Sequence, residues 1–184
     1  HGGRPGYENE WRGNPELACG GELTYQGVHI ADLISWGRGA PYRAYALLQT
    51  AVWPLQPLED NAFGLFHFAG GQIASFHTSW TQWKNLFSFE LFGTAGSLTV
   101  EGLGRSYGTE TLVLARRNPL GGVPELSTPA FDGPDDSWAL EWRDFVDAIA
   151  DGHPYLGTPA DGLTAMAMID GLYRSAAAGT AVDL

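Results

Sequence analysis

The feature that most constrains the fold is a run of short segments rich in β-branched and aromatic residues between Ala44 and Val100. Glycine-containing turns separate these segments, among them Ala69-Gly70-Gly71 and Thr94-Ala95-Gly96. This pattern is typical of antiparallel strands joined by tight turns. We expect strands near 44–53, 60–68, 72–81, 86–93, 97–101 and 109–115, followed by an irregular stretch over 118–134 that is rich in proline and glycine.

Three segments with helical periodicity flank the strands. The first starts at Leu23 and ends near Gly37-Arg38-Gly39, because its apolar positions recur at helical spacing and Pro41 follows. The other two cover 138–151 and 159–178. With helices before and after a run of strands, the sequence predicts an α+β fold. We expect an open, mostly antiparallel (mixed) β-sheet of about six strands with helices packed on one face.

The central strands carry bulky apolar side chains on both faces. Phe63 and Leu65 point away from Phe66 and Phe68, since side chains alternate along a strand. The two C-terminal helices are available to cover one face. Because an uncovered aromatic face favours aggregation, we expect a second copy of the chain to cover the other face. This predicts a homodimer or homotetramer.

Composition limits the classes of partner. The chain carries a net charge of −11, which repels the phosphates of nucleic acids and of anionic lipids. No apolar run reaches the roughly 18 residues that a membrane-spanning helix needs. The single cysteine, Cys19, cannot form an internal disulfide. We therefore expect no nucleic acid, no membrane and a cytoplasmic location.

The length favours one domain, since 184 residues of which 44% are apolar can bury one sizeable core. The sequence begins at His1-Gly2-Gly3 and not at methionine. A fragment of a longer protein and a standalone domain therefore both stay open as interpretations.

Tyr25, His29 and Asp32 place three polar side chains along one stripe of the first helix. Residues four apart on a helix share a face, and Asp32 follows nearly one turn beyond His29. An imidazole exchanges protons near neutral pH, so a histidine beside hydrogen-bonding groups is suited to acid–base work on a substrate hydroxyl. The spacing alone nevertheless favours an ordinary polar helix face.

The segment from Gly20 to Asp32 resembles a Gly-Gly-Gly-x-Leu-x-Asp-x-Gly-x-His-x-x-Asp stretch. That stretch opens the first long helix in the C-terminal domain of the Gfo/Idh/MocA family. The resemblance extends over nearly the whole chain, through Trp11-Arg12, the run from Glu90 to Leu98, Phe145-Val146-Asp147-Ala148-Ile149 and the tail from Ser175 to Leu184. With these segments in this order, His29 is better explained as part of a site than as part of a polar face.

The resemblance implies an NAD(P)-dependent oxidoreductase whose N-terminal Rossmann domain, absent from this chain, holds NAD or NADP. Residues 1–184 would then be the C-terminal substrate-binding and oligomerising domain. The resemblance also implies a small polar substrate, namely a sugar, sugar derivative or cyclitol, and a lysine of the missing domain that assists the reaction. His29 inherits the acid–base role, and Tyr25 occupies the place of the usual aspartate.

Two explanations for Tyr25 stay open. Its phenol donates a proton in a variant site, or the site has lost turnover and the domain only binds its ligand. A phenol with an ordinary pKa of about 10 cannot orient an imidazolium as a carboxylate does at pH 7. The resemblance makes Trp11, Arg12, Gln26 and Asp32 the candidate substrate-binding residues. An arginine in a polar loop and a carboxylate beyond the reactive turn are, however, also typical of solvated side chains.

Other motifs are missing from the sequence. No Gly-x-Gly-x-x-Gly after a strand and no Gly-x-x-x-x-Gly-Lys loop is present, so the chain by itself should be inactive and hold no dinucleotide. His67 and His77 could meet across neighbouring strands, but two ligands do not make a zinc site, and we expect packed histidines and no metal. The alternative functions are an NAD-retaining redox-elimination glycosidase or lyase and a non-catalytic ligand-binding or scaffold domain.

Overall fold

The structure, a computed structural model, describes residues 5–131 and 133–184. The chain divides into two compact units: the first contains His1–Trp83 and Trp142–Leu184, and the second contains Lys84–Glu141. The α-helices of the described residues are α1 (Val28–Arg38), α2 (Ser137–Asp151) and α3 (Pro159–Ala178). None of them is long and apolar enough to cross a membrane. The strands are β1 (Arg43–Gln49), β2 (Asn61–His67), β3 (Ile73–Ser79), β4 (Ser88–Gly93), β5 (Gly96–Glu101), β6 (Thr111–Arg116), β7 (Glu125–Ser127) and β8 (Val182–Asp183).

α1 continues directly from a π-helical turn over Leu23–Gly27. The combined segment ends where Gly39 adopts a positive φ of 77°, a backbone conformation that glycine adopts without steric cost. The helix predicted from Leu23 to the glycines near residue 37 is therefore confirmed.

α3 is delimited by signals in its own sequence. Thr158 and Asp161 form a capping box in which each side chain accepts a hydrogen bond from the other residue's backbone N–H, and Pro159 occupies the first turn. Gly179 ends the helix with a φ of 66°. Because these signals are local, the helix predicted over 159–178 matches the observed bounds.

In the first unit, four strands form an antiparallel sheet in the order β3-β2-β1-β8. α3 packs on β1, and α1 packs on α3. The sheet face beneath these helices is well buried, with Ala44, Ala46 and Phe66 each 1% exposed. Leu23 and Leu172 are fully buried and bring the first helix and α3 into the same core, where burial of apolar surface stabilises the fold.

The opposite face of the same sheet is open. Leu47, Phe63, Leu65 and Ile73 are 58%, 46%, 45% and 71% exposed. The register pairs Phe63 with Leu47 on one side and with His77 on the other. The prediction that both faces of the central strands carry apolar side chains is therefore confirmed.

α2 differs from the expected arrangement. The helix forms over Ser137–Asp151, close to the predicted range, but it has no buried residue. α1 occupies the place beside α3 instead, and its Ala31 and Ile34 are buried there. The expectation that the 138–151 helix helps to cover the sheet is therefore wrong for the described residues: α3 packs on β1 and α1 packs on α3, whereas α2 buries no side chain.

In the second unit, the strands form an antiparallel sheet in the order β4-β5-β6-β7. Leu98 on β5 pairs with Leu91 on β4 and with Leu114 on β6. β7 contains three residues inside the stretch expected to be irregular, and β8 contains two. Strands this short carry no readable alternation, which explains why the sequence predicts about six strands and not the eight that the described residues form. These eight strands make two sheets of four, whereas the sequence predicts one sheet. The α+β class with antiparallel strands is confirmed.

Candidate functional site

The first turn of the helix that continues into α1 is held by Glu59. Its carboxylate accepts hydrogen bonds from the backbone N–H groups of Gly21 (3.1 Å) and Leu23 (2.9 Å). The Glu59 carbonyl oxygen accepts a third from the N–H of Glu22 (2.9 Å). A helix N-terminus presents unpaired N–H groups and a partial positive charge, so a carboxylate stabilises it. A side chain at Gly21 would overlap the Glu59 backbone, which explains the glycine.

Tyr173 on α3 joins the same network. Its phenol donates to Glu59 Oε1 at 2.8 Å and lies 2.9 Å from Thr24 Oγ1. Burial, followed by the negative charge of Glu59, raises the pKa of the Tyr173 phenol, so it stays protonated and remains a donor. The start of the first helix is therefore tied to α3 through side chains as well as through the apolar core.

Glu22, the residue after Gly21, is fully buried. The Thr78 hydroxyl of β3 donates to Glu22 Oε1, whereas Oε2 has no hydrogen-bond partner among the described residues. Burial raises the pKa of this carboxyl to about 8, because the ionised form would lose its hydration. Glu22 is therefore neutral at pH 7 and links the helix to the sheet as a protonated acid.

Asp60 fixes the loop that follows β1. Its carboxylate accepts hydrogen bonds from the backbone N–H groups of Ala51, Val52 and Trp53, at 2.8, 2.8 and 2.9 Å. Partial burial alone would raise the pKa of Asp60, but these donors and the Asn61 amide outweigh it and lower the pKa. The charged carboxylate therefore holds the loop in one conformation.

Trp11, Arg12 and Tyr25 are brought together at the start of the helix. The Trp11 and Tyr25 rings meet edge to face with centroids 5.6 Å apart. The Arg12 guanidinium lies 4.4 Å from the Trp11 ring centroid and 5.7 Å from that of Tyr25. Tyr25 also stacks on Trp80 at 6.5 Å. Burial, and then Cys19, raise the pKa of the Tyr25 phenol, so Tyr25 acts as a neutral hydrogen-bonding group.

The remaining candidate residues lie on the same helical segment with different exposure. His29 and Asp32 are exposed on α1, and Gln26 is half-buried in the π-helical turn. Near the ring contacts, an open depression of about 460 Å³ is lined by Trp11 and neighbouring residues of the N-terminal arm. The structure thus joins Trp11, Arg12 and Tyr25 through contacts and leaves the histidine and the aspartate accessible to solvent.

The sequence did not predict that four further residues belong to this region, namely Glu22, Glu59, Tyr173 and Trp80. Leu23 and its partner Glu59 are 36 residues apart, and Glu59 and Tyr173 are 114 apart. Local patterns carry no signal over such separations. A buried glutamate directly after the two glycines is visible in the sequence, but its burial is not.

The two strand histidines have separate partners. The register pairs His67 with Ile73 and His77 with Phe63. His77 stacks on Phe63 with ring centroids 4.2 Å apart, and His67 Nδ1 lies 2.8 Å from the Tyr42 hydroxyl. No group of three potential His, Cys, Asp or Glu ligands for a metal occurs among the described residues.

The described residues do not supply a dinucleotide site by themselves. Such a site needs parallel strands joined by a crossover helix with a glycine-rich turn. All the strand pairs of the described residues are antiparallel. The parallel strands that such a site requires are therefore not found among the described residues.

A family model described as the GFO/IDH/MocA C-terminal domain matches residues 1–99. The 1,5-anhydro-D-fructose reductase of Ensifer adhaerens is 28% identical over 183 residues, which are 98% of this chain and 52% of that protein. The chain thus spans about half the length of this relative.

Solved structures share the fold. An aldose-aldose oxidoreductase from Caulobacter crescentus, complexed with glycerol, matches with a TM-score of 0.80 at 23% identity, over 100% of this chain and 53% of that chain. A levoglucosan dehydrogenase in complex with NADH matches with a TM-score of 0.81 at 23% identity, over 98% and 54% respectively. At such identities the likeness concerns the fold.

Proposed function

The chain belongs to the Gfo/Idh/MocA family as a C-terminal domain, and from this premise we propose that it is the substrate-binding part of an NAD(P)-dependent oxidoreductase. The substrate class is a sugar, sugar derivative or cyclitol that carries the reacting hydroxyl or ketone. The observation that carries the proposal is the contact of Trp11, Arg12 and Tyr25 at the start of the helix that bears His29. The names of the similar proteins, a 1,5-anhydro-D-fructose reductase, an aldose-aldose oxidoreductase and a levoglucosan dehydrogenase, support the substrate class.

In this proposal, residues 1–184 form one C-terminal domain, and a Rossmann domain in the other half of the protein binds NAD or NADP. When bound, the nicotinamide supplies hydride transfer to or from the reacting carbon. The described chain contributes the substrate side of the site. Alone it is inactive, since its antiparallel strands provide no dinucleotide site.

His29 is the proposed acid–base residue. Its exposure on α1 leaves the imidazole free to approach a bound sugar, and an imidazole can accept the hydroxyl proton during oxidation or return it during reduction. The Glu59 cap fixes the backbone of the same helix. Tight positioning of an acid–base group contributes directly to rate.

Tyr25 is proposed as a hydrogen-bond donor to a substrate oxygen. Its raised pKa keeps the phenol protonated, so it cannot replace the aspartate as an anion. Trp11, Arg12, Gln26 and Asp32 complete the proposed substrate-binding set. The Arg12 guanidinium, placed against two rings, is suited to clamp sugar oxygens because it offers several N–H donors in a fixed plane.

The test is an assay of the full-length gene product with NAD and NADP against a panel of sugars and cyclitols. We expect His29→Gln to lower kcat by roughly 10²–10⁴-fold, whereas the control His153→Gln leaves it unchanged. Turnover unaffected by His29→Gln would contradict the role of His29, and unchanged turnover in Tyr25→Phe would remove Tyr25 from the mechanism. Cleaved product without net NADH would instead indicate the redox-elimination reaction.

We also propose that a second copy covers the open face of the β1–β3 sheet, giving a homodimer or homotetramer. Support comes from the exposed apolar side chains Leu47, Phe63, Leu65 and Ile73, which form one face of neighbouring strands. A monomer by sedimentation at micromolar concentration would contradict this.

Location and the remaining partners complete the proposal. The net charge of −11 supports the absence of nucleic acid and membrane partners. The lone Cys19 supports a cytoplasmic location. Fractionation of the native host would test the location.

A further inference from the structure

Trp83 has an unusual backbone conformation for an exposed aromatic residue. Its φ is 55°, and no other non-glycine residue in the described part of the chain has a positive φ. The side chain is 67% exposed, so burial in the core does not compensate for this conformation. A bulky residue held in the left-handed region costs free energy, and such residues concentrate at functional sites.

Trp53 forms a fixed partner for this exposed ring. The two ring centroids are 5.7 Å apart and the planes are inclined by 55°. The Trp53 backbone N–H donates to the Asp60 carboxylate at 2.9 Å, and its indole N–H donates to the Trp80 carbonyl at 3.2 Å. Both ends of Trp53 are therefore held before any ligand arrives. Pre-organisation of this kind lowers the entropy cost of binding.

The pair of Trp53 and Trp83, called here the tryptophan shelf, is connected to the candidate site. Trp53 and Tyr25 pack on the same buried cluster, which contains Trp80. Trp80 stacks on Tyr25, and Tyr25 contacts Trp11. A row of aromatic rings therefore runs from the proposed reacting site to the shelf.

The surroundings of the shelf indicate the charge of its ligand. Trp53 lines an open depression of about 480 Å³ together with Thr50, Ala51, Val52, Pro54 and Gln56. None of these lining side chains is charged, and Thr50 and Gln56 carry groups that can hydrogen-bond with hydroxyls. Indole rings provide flat apolar surface beside such polar groups. This combination suits the apolar face and the hydroxyl rim of a neutral sugar ring.

We propose that the tryptophan shelf is a second sugar-binding subsite, which stacks the neutral ring attached to the reacting sugar. The substrate class is then a glycoside or disaccharide and not a single monosaccharide. The reacting position of that substrate rests on the proposed function. Binding at the shelf does not, because it requires neither cofactor nor turnover.

The test is calorimetric titration of the 184-residue chain with glucose and with the neutral disaccharides maltose, cellobiose and trehalose. We expect at least one disaccharide to bind more tightly than glucose. Trp83→Gly should weaken that disaccharide about tenfold, the loss typical of removing an anchoring aromatic ring. Glycine adopts the φ of this position without strain, so the variant removes the ring without straining the backbone. Trp83→Phe should retain part of the affinity.

The matched control is Trp36→Ala, which removes a tryptophan that is 81% exposed on the last turn of α1 and should leave the affinity unchanged. Equal affinity of wild type and Trp83→Gly for every disaccharide would overturn the shelf, as would glucose binding as tightly as any disaccharide. A change in oligomeric state without a change in sugar affinity would also overturn it and assign the ring to a protein contact. Disaccharide binding that depends on Trp83 in a protein without sugar oxidoreductase activity would support the shelf while contradicting the proposed function.

Discussion

The two faces of the β1–β3 sheet are both apolar, but they differ in side-chain size and in what covers them. The face beneath α1 and α3 carries small residues such as Ala44, Ala46 and Gly64 around the buried ring of Phe66. The opposite face carries the large side chains of Leu47, Phe63, Leu65 and Ile73, which are 45–71% exposed. Small side chains allow helices to approach the strands closely. The two faces therefore differ more in the size of their residues than in hydropathy: the chain covers the face with small residues and leaves the face with large residues open.

The sharpest test of this difference removes one large side chain from each face. Phe66→Ala should lower the free energy of unfolding by about 3–5 kcal/mol, because it leaves a cavity under the helices. The control Leu65→Ala, on the neighbouring residue of the open face, should cost about 1 kcal/mol or less. Both are measured by chemical denaturation at a concentration where any oligomer is dissociated. Equal losses would contradict the distinction between the faces.

A second test concerns the buried acid of the covered face. The pKa of Glu22 rises from an ordinary 4.5 to about 8 in the folded chain. Between these values the unfolded chain has released the proton that the folded chain keeps, so the contribution of Glu22 to stability is greatest below pH 4.5 and falls as the pH rises towards 8. This decrease in the free energy of unfolding should amount to a few kcal/mol. Glu22→Gln should abolish it and flatten the profile of unfolding free energy against pH. A variant with the same slope as the wild type would contradict the assignment.

A third test addresses the network at the helix start. Glu59→Gln keeps the shape of the side chain but removes the charge that accepts the Gly21 and Leu23 N–H groups. We expect a loss of about 2 kcal/mol in unfolding free energy, because hydrogen bonds to charged groups are the stronger ones. Both Glu59→Gln and the control Glu16→Gln, which replaces an exposed glutamate, are measured by thermal denaturation. A loss of the same size in Glu16→Gln would show that the effect is not specific to the network.

The smallest stability effect is expected on the open face. Leu47→Thr replaces a side chain that is 58% exposed and should change the unfolding free energy of the monomer by about 0.5 kcal/mol. Its main effect should be weaker self-association in sedimentation velocity. A large loss of monomer stability would mean that the chain itself covers this face.

Much of the fold could be predicted because its signals are local. The capping box at Thr158 and the glycine at 179 delimit α3 within the segment itself, and glycines end the first helix in the same way. The role of α2 could not be predicted, since its apolar stripe is equally typical of a helix packed on a sheet. Only the tertiary structure shows that α1 packs on α3 and that α2 buries no side chain.

In the candidate site, too, local features could be predicted from the sequence and contacts between distant residues could not. The helical segment that carries Tyr25 and His29 could be predicted from the sequence, whereas the roles of Tyr25, His29 and Arg12 stay a prediction from the family resemblance. The roles of Glu59 and Tyr173 could not be predicted, because their hydrogen bonds join positions 114 residues apart. Likewise, no sequence pattern predicts the strained backbone of Trp83 or its contact with Trp53.

The sequence by itself determined the α+β class, the helix ends, the positions of the six longer strands to within a few residues and the family of the chain, because each depends on neighbouring residues or on an ordered set of short motifs. The tertiary structure alone decided which helices cover the sheet, which carboxyl group is buried and protonated and which aromatic rings meet. Those outcomes depend on steric fit and on the loss of hydration between segments that are distant in the chain, and no local pattern encodes either quantity.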